Sequence, residues 1–347
     1  MYSRVLLPQQ ISPIENGKPI QGTWTTAFEK VDLLDIKKPY PVPLPRSILN
    51  LRVKEWQSFA IQNDEVCLFS NIANFKFISF AEVFFLDKSS GESLRLFRVF
   101  PLSYWRLPSS LNNSYTGIDT HDFSFRIHNW LDCKSIKIDL NIGSNFNRAA
   151  FTAQIEFDLD IKKMTPMSVN LLLSDTRCYY AYKGISAIRG RIVWGSRRII
   201  LHRASSIGLF RDHKGYLPYM TRTMSCAGFG FDSQQRMFGF SLAENQAREP
   251  SKNNENALWL EGALTPLPPV RITQAKEDEW NIQDLEGMVD LTFKFVEEAE
   301  NTFGIIFFNI EHQTPIGRIN GMLQTKDGER LQIRNLWGFA EKFNFRL

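Results

Sequence analysis

The stretch Phe151-Thr152-Ala153-Gln154-Ile155-Glu156-Phe157-Asp158-Leu159-Asp160-Ile161 alternates apolar and polar residues without a break. Neighbouring side chains of a β-strand point to opposite faces, so this pattern places one face on a core and the other in water. Two shorter stretches with the same alternation, 123–127 and 136–142, precede it almost without pause. A fourth lies at 289–295. Each predicts a half-buried strand.

Successive half-buried strands joined by short turns predict an antiparallel meander, and enough of them close into a barrel or a sandwich. Further strands are indicated at 55–61, 66–70, 79–86 and 94–100, and Asp327-Gly328 marks a tight hairpin turn. Short helices are indicated only at 71–74 and 277–280. The expected fold is all-β, with two tandem antiparallel barrel or sandwich domains.

The chain divides into three expected parts. Residues 1–48 are irregular, and their alternating prolines at 39–45 predict an extended arm across a domain surface. Residues 49–164 form the first β domain and residues 165–347 the second, because Pro166 is expected to end strand pairing. The length of 347 residues suits two domains of ordinary size.

Composition limits the classes of partner and compartment. The net charge is +4, from 41 basic and 37 acidic residues spread along the chain, so no nucleic-acid partner is expected. The four cysteines stand far apart without metal-ligand spacing, which predicts free, buried thiols in a reducing compartment. No signal peptide or transmembrane segment is indicated, and a cytoplasmic location is expected. Composition says nothing about the oligomeric state.

Several segments spread over nearly the whole chain together resemble the bacterial domain-of-unknown-function 2804 family. They are Arg52-Val53-Lys54-Glu55-Trp56, residues 81–91, Tyr182-Lys183 before Arg189-Gly190, residues 212–219, Glu255-Asn256-Ala257-Leu258, Glu311-His312-Gln313 with Gly317, and residues 336–341. The resemblance implies an all-β protein of unknown activity. More distantly, the chain is similar to two-domain lipocalin-like (calycin-type) proteins that include carotenoid hydratases, a likeness that transfers no catalytic residue. It departs from the family at Arg222-Thr223-Met224-Ser225-Cys226, where a tryptophan-rich stretch is expected.

Three polar clusters beside apolar strands are the candidate catalytic groups. They contain Asp212 and His213, Glu255, and Glu311 and His312, the last pair directly following a predicted apolar strand at 304–310. Glu311 and His312 are neighbours, so only one of them can face the interior of a continuing strand. A buried carboxylic acid or a histidine near neutral pH is suited to proton transfer.

Other residues are candidates for contact with a ligand rather than for chemistry. They are Trp56, Glu82, Lys183, Tyr219, Arg222 and Asn256. A metal set of His213, His312 and Glu255 is a weaker alternative, because nothing in their spacing brings them together. No nucleophile elbow, Walker motif or dinucleotide fingerprint occurs in the sequence, so no cofactor and no metal is expected.

Two functional hypotheses follow. The first is a lipocalin-like protein that binds a hydrophobic small molecule, such as a lipid or isoprenoid, in the second barrel or between the domains. The second is a hydratase, isomerase or cyclase that acts on a hydrophobic substrate by acid–base catalysis. It requires a carboxyl group and a histidine or tyrosine within hydrogen-bond reach in an apolar pocket. The sequence leaves both hypotheses open.

Overall fold

The computed structural model describes residues 2–101, 105–160, 164–244, 246–305 and 308–346. Nearly all regular structure in this part of the chain is antiparallel β-sheet, organised as two large curled sheets, which confirms the predicted all-β fold. The helical elements among these residues are a 3-10 helix, Leu33–Asp35, and α1, Arg46–Arg52. None of the described helices is long and apolar enough to cross a membrane.

The first half of the chain builds the larger sheet. The strands β1 (Ile14–Glu15) and β2 (Lys18–Pro19) pair only with each other. The thirteen strands of the large sheet are β3 (Gly22–Trp24), β4 (Lys54–Gln62), β5 (Val66–Asn74), β6 (Ile78–Asp87), β7 (Ser93–Pro101), β8 (Ser114–Asp119), β9 (Phe123–Trp130), β10 (Ser135–Ile142), β11 (Phe151–Asp158), β12 (Met167–Leu172), β13 (Cys178–Trp194), β14 (Arg197–Leu201) and β15 (Ile207–Gly215). Their main order is β7-β6-β5-β4-β15-β13-β11-β10-β9-β8.

The second half of the chain builds a sheet of nine strands. They are β16 (Met220–Phe231), β17 (Met237–Glu244), β18 (Ala257–Leu260), β19 (Ala263–Pro266), β20 (Val270–Lys276), β21 (Glu279–Asp284), β22 (Val289–Ile305), β23 (Phe308–Gln324) and β24 (Arg330–Arg346). Their order is β19-β18-β17-β16-β24-β23-β22-β21-β20. We call the two assemblies the first and the second sheet.

The alternating stretches form strands as predicted. β9, β10 and β11 pair as an antiparallel meander in which Phe125, Leu140 and Ala153 stand side by side. These apolar residues are buried, whereas Arg126 on the opposite face of β9 is exposed. Ile161, at the end of the predicted stretch, lies outside the described residues.

The N-terminal segment is packed more deeply than an extended surface arm would be. Trp24 ends β3, which pairs with β12, and its ring lies edge-on to Phe28 at 4.8 Å between centroids. Both residues are buried in the core of the first sheet, as are Val31, Leu33 and Ile36. Apolar residues at irregular spacing are buried here as completely as alternating ones. Their spacing shows no strand periodicity, so the sequence pattern does not predict their burial.

The division between the sheets falls within residues 216–219. Strands β12 to β15 pair within the first sheet, although they follow the domain boundary expected at Pro166. Proline therefore marks a break between strands there without marking a change of sheet. The segment Tyr216–Tyr219 passes from one sheet to the other.

Three predictions of short elements are wrong. Residues 71–74 belong to β5, and Glu279 and Trp280 begin β21, so neither predicted helix exists. The apolar stretch 304–310 is not one strand, because Ile305 pairs with Phe308 and the chain reverses between β22 and β23. Ile306 and Phe307 lie outside the described residues. The Asp327-Gly328 hairpin turn, by contrast, joins β23 to β24 as predicted.

The two sheets pack face to face. The side-chain amide of Gln62 in β4 donates hydrogen bonds to the backbone carbonyls of Phe229 and Trp337 in the second sheet. The second sheet also has its own apolar core, in which Trp280, Phe293 and other large side chains fill the inner face. A small molecule would therefore fit between the sheets rather than inside the second sheet.

Candidate functional site

A pocket lies between the two sheets, with an empty volume of about 870 Å³ that includes the solvent-open space at its mouth. The first sheet contributes side chains from β4, β5, β6, β13 and β15, and the second sheet contributes them from β16, β17, β23 and β24. Leu217 and Pro218, in the segment that joins the sheets, form part of its wall. The pocket is therefore a product of how the sheets pack.

Two cations stand opposite each other on the pocket face of the first sheet. Lys183 in β13 is the register partner of Arg211 in β15, and both are buried. Like charges in this position repel each other in a low-dielectric surrounding. The arrangement therefore requires a carboxylate for each cation.

The second half of the chain supplies both carboxylates. Nζ of Lys183 lies 2.9 Å from Oε2 of Glu255, and Nη1 of Arg211 lies 2.6 Å from Oε1 of Glu341. Burial lowers the pKa of Lys183, and the Glu255 carboxylate opposes this shift. Burial raises the pKa of Glu341, but Arg211 and His312 outweigh it and lower that pKa to about 2.

His312 lies between two carboxylates. Its Nδ1 is 2.8 Å from Oε2 of Glu82, and its Nε2 is 3.5 Å from Oε2 of Glu341. Burial alone lowers the pKa of this imidazole, but the two carboxylates raise it to about 10. The ring is therefore an imidazolium at neutral pH. The other oxygen of Glu82 accepts hydrogen bonds from Asn301 and Thr314.

His213 has the opposite electrostatic environment. Its ring stacks on Trp56, with centroids 4.8 Å apart, and its Nδ1 lies 2.6 Å from the hydroxyl oxygen of Tyr179. Burial lowers the pKa of His213 to about 3, so this imidazole is neutral. Burial, followed by the charge of Glu255, raises the pKa of Tyr179, which keeps its phenol protonated.

Aromatic rings form the apolar wall of the pocket. Phe75 of the first sheet packs against Phe343 and Phe345 of β24, with centroids 5.8 and 5.3 Å apart. Phe80 packs edge-on to Phe75. Phe343 also meets the ring of His312 edge-on at 4.9 Å. One wall is thus hydrocarbon, and it adjoins the charged groups directly.

The loop that carries Glu255 is fixed by hydrogen bonds on both sides. Asn253 donates to the carbonyls of Gly22 and Asn170, and Asn256 donates to the carbonyl of Pro268. The guanidinium of half-buried Arg4 donates to the backbone carbonyls of Asn254 and Asn256. The N-terminal segment therefore helps to position an acidic group of the pocket.

The structure brings together five of the residues singled out from the sequence. They are Trp56, Lys183, His213, Glu255 and His312, all of which line the pocket. Glu82 does not line the pocket itself, but its carboxyl group contacts His312. Asn256 is fully buried outside the pocket, where its side-chain Oδ1 accepts a hydrogen bond from the backbone amide of Ala243.

The other four singled-out residues lie elsewhere. Glu311 is exposed on the opposite face of β23 from His312, as strand alternation requires of one of the two. Arg222 is exposed and alternates with Thr221 and Thr223, which do line the pocket. Tyr219 is half exposed in the linking segment near them.

Asp212 is buried but points away from the pocket. It alternates in β15 with Arg211 and His213, so its carboxyl group lies on the other face of the first sheet. Among the described residues, neither of its oxygens has a hydrogen-bond partner that meets geometric criteria. Burial raises the pKa of Asp212 to about 6, against the opposing effect of Lys214.

Sequence inspection missed Tyr179, Arg211 and Glu341. Arg211 shares strand parity with His213, which is a signal that the alternation of β15 could have supplied. Tyr179 and Glu341 come from strands far apart in the chain, and only the pairing of the strands and sheets places them at the pocket. The cysteine prediction also needs correction, because Cys133 is exposed while Cys67, Cys178 and Cys226 are buried and free.

Metal binding by His213, His312 and Glu255 finds no support in the geometry. Among the residues that the structure describes, no group of three histidine, cysteine or acidic side chains is arranged to hold an ion. The carboxylates near the two histidines are instead engaged with Lys183 and Arg211.

Two curled antiparallel sheets in tandem, with a pocket between them, define a lipocalin-like fold. The chain belongs to the family described as Domain of unknown function (DUF2804), whose model matches residues 13–347. This confirms the resemblance inferred from the sequence. A comparison with proteins of curated function gave no match.

The fold is similar to that of CghA, a protein of known structure. CghA bound to Sch210972 aligns with a TM-score of 0.52 and 10% identity, covering 85% of this chain and 88% of CghA. CghA in a second structure gives 0.50 with the same identity and coverage. Kievitone hydratase from Nectria haematococca gives 0.45 and 11% identity, covering 84% and 88%. At these identities the likeness concerns the fold.

Proposed function

We propose that the pocket between the sheets binds a hydrophobic small molecule and that its side chains move a proton at the polar end of that molecule. The reaction class is hydration, isomerisation or cyclisation by acid–base catalysis. One observation carries the proposal. The pocket holds two histidines whose surroundings drive their pKa values in opposite directions, to about 10 for His312 and about 3 for His213.

Opposed pKa values of neighbouring groups indicate separate roles. His312 is an imidazolium between two carboxylates, so its charge offsets theirs at the polar end of the pocket. His213 is a neutral imidazole in contact with the phenol of Tyr179. In this proposal, Tyr179 gives its phenolic proton to the substrate and takes back the proton that the substrate, or an added water molecule, releases. His213 holds the hydroxyl group in place through its Nδ1.

The aromatic wall supports an apolar substrate. Phe75, Phe343 and Phe345 offer hydrocarbon surface directly beside the charged groups, and burial of apolar ligand surface there provides binding energy. A wholly polar molecule would leave this wall without a contact.

The test begins with native mass spectrometry of the purified protein and organic extraction of any bound molecule. The extracted molecule is then incubated with the protein in D₂O, and deuterium incorporation or water addition is followed by mass spectrometry. Proton transfer predicts exchange that His213→Gln and Tyr179→Phe abolish. The exposed variant Glu311→Gln serves as the matched control and keeps the exchange.

Binding without exchange or water addition would overturn the enzymatic part of the proposal and leave a binding protein. Exchange that survives both His213→Gln and Tyr179→Phe would overturn the assigned roles.

A further inference from the structure

The charges around the pocket cancel in pairs. Lys183 faces Glu255, and this pair has no net charge wherever its shared proton lies. Arg211 and His312 face Glu341 and Glu82. Two cations and two anions again cancel.

Among the described residues that line the pocket, Oδ1 of Asn71 is an unpartnered acceptor, and two cations keep unpartnered donors. Nζ of Lys183 donates to Oε2 of Glu255 and, at 3.3 Å, to Oγ of Ser241. Among the described residues, the third N–H group of its ammonium therefore has no hydrogen-bond partner. Nε of Arg211 is buried and has no hydrogen-bond partner among the described residues. An unsatisfied buried donor costs free energy, which a ligand oxygen would recover.

From these two facts, and resting on the proposed function, we infer that the natural ligand presents an uncharged acceptor, a carbonyl or hydroxyl oxygen, to Lys183 and Arg211, with its hydrocarbon part against Phe343 and Phe345. A neutral oxygen satisfies the free N–H groups and keeps the pocket neutral.

A charged ligand fits less well. A carboxylate would add an uncompensated negative charge beside Glu255 and Glu341, and it would lose its own hydration on entering. An ammonium group would add an uncompensated positive charge beside Lys183 and Arg211, whose carboxylates are already engaged. The substrate class is therefore a neutral ketone, enone or alcohol with a hydrocarbon body.

Three probes with the same chain length test this inference: 2-undecanone, 1-undecanol and undecanoate. Their dissociation constants are measured at pH 7.5 by isothermal titration calorimetry with the full chain. We expect the ketone and the alcohol to bind at least about tenfold more tightly than the carboxylate, which corresponds to about 1.4 kcal/mol. Equal or tighter binding of undecanoate would overturn the inference and leave the proposed function intact.

A charge variant sharpens the test. Glu255→Gln leaves Lys183 without its carboxylate, so undecanoate should gain at least about tenfold in affinity while the ketone changes little. Glu311→Gln removes a carboxylate on the opposite face and should change neither. An unchanged carboxylate affinity in folded Glu255→Gln, verified by circular dichroism, contradicts the argument from charge. Failure of all three probes to bind the native protein would overturn the proposed function itself.

Discussion

Nδ1 of His312 lies 2.8 Å from Oε2 of Glu82, and the two side chains belong to different sheets. The contact joins a buried imidazole of β23 to a buried carboxyl group of β6. It therefore connects the packing of the sheets to the protonation of a group that lines the pocket.

Substitution of Glu82 should lower the pKa of His312. Glu82→Gln removes one of the two carboxylates that oppose the effect of burial, so the imidazolium loses stabilisation. We expect a fall in that pKa of at least about one unit, or about 1.4 kcal/mol. Two-dimensional NMR of the ¹³C-labelled imidazole measures it, with Glu311→Gln as control. An unchanged value would mean that Glu341 alone maintains the charge.

Substitutions of Lys183 and Glu255 should have coupled effects on the free energy of unfolding. Loss of Lys183 should also impair ligand binding, even where stability is restored. Lys183→Met leaves a buried carboxylate without its cation and should cost about 3–5 kcal/mol in the free energy of unfolding. Adding Glu255→Gln removes the stranded charge and should recover much of this loss, as urea denaturation would show. The double variant should still fail to retain the ligand. Full ligand retention in it would assign the pair a structural role only.

Asp212→Asn should stabilise the protein, in a manner that depends on pH. The folded pKa of Asp212 is raised to about 6, whereas that of an unfolded chain is about 3.9. Ionisation therefore opposes folding as the pH rises between these values, by about 3 kcal/mol at most. The variant should be more stable than the native protein at pH 8 and nearly equal to it at pH 4.

Thermal denaturation of both proteins between pH 4 and pH 8 measures this difference. Asp64→Asn, an exposed substitution in the turn between β4 and β5, should show no such trend. A constant difference between native protein and Asp212→Asn across the pH range would show that the buried carboxyl group does not titrate in this interval.

Arg4 should influence the pocket from a distance. Arg4→Met removes the donors to the carbonyls of Asn254 and Asn256, which costs about 1–3 kcal/mol if these carbonyls stay buried. The local effect should be faster amide hydrogen exchange in residues 253–256, measured by mass spectrometry. Lys18→Met, at an exposed position of the same segment, should leave the exchange unchanged. Equal exchange in both variants would show that Asn253 fixes the loop without Arg4.

The sequence predicted the fold class well because strand alternation is a local property. Phe125 and Arg126 face opposite sides for the same reason that His312 and Glu311 do, and both contrasts follow from a period of two. The same rule would have assigned Arg211 to the face of His213 and Asp212 to the other. Proximity in sequence groups Asp212 with His213, whereas their adjacent positions in β15 place them on opposite faces.

The composition of the pocket was beyond local analysis. Glu341 meets Arg211 only because two sheets of different halves pack together, and no periodicity in either strand encodes that contact. The burial of Trp24 and Phe28 is similar, since their segment has no regular alternation. The predicted strand at 304–310 was wrong because a hairpin can connect two apolar strand ends without a polar turn sequence that marks it.

The linking segment 216–219 separates the polar groups of the pocket into two complementary halves. Before it stand Lys183, Arg211 and Glu82, with one positive charge in excess, and after it stand Glu255, His312 and Glu341, with one negative charge in excess. Each half alone would have to hydrate or neutralise its surplus charge. Mutual recognition of the halves during folding is thereby selective: a sheet docked in a shifted position would bury an ion without its counterion. The charged residues of the pocket thus also favour the correct relative position of the two sheets during folding.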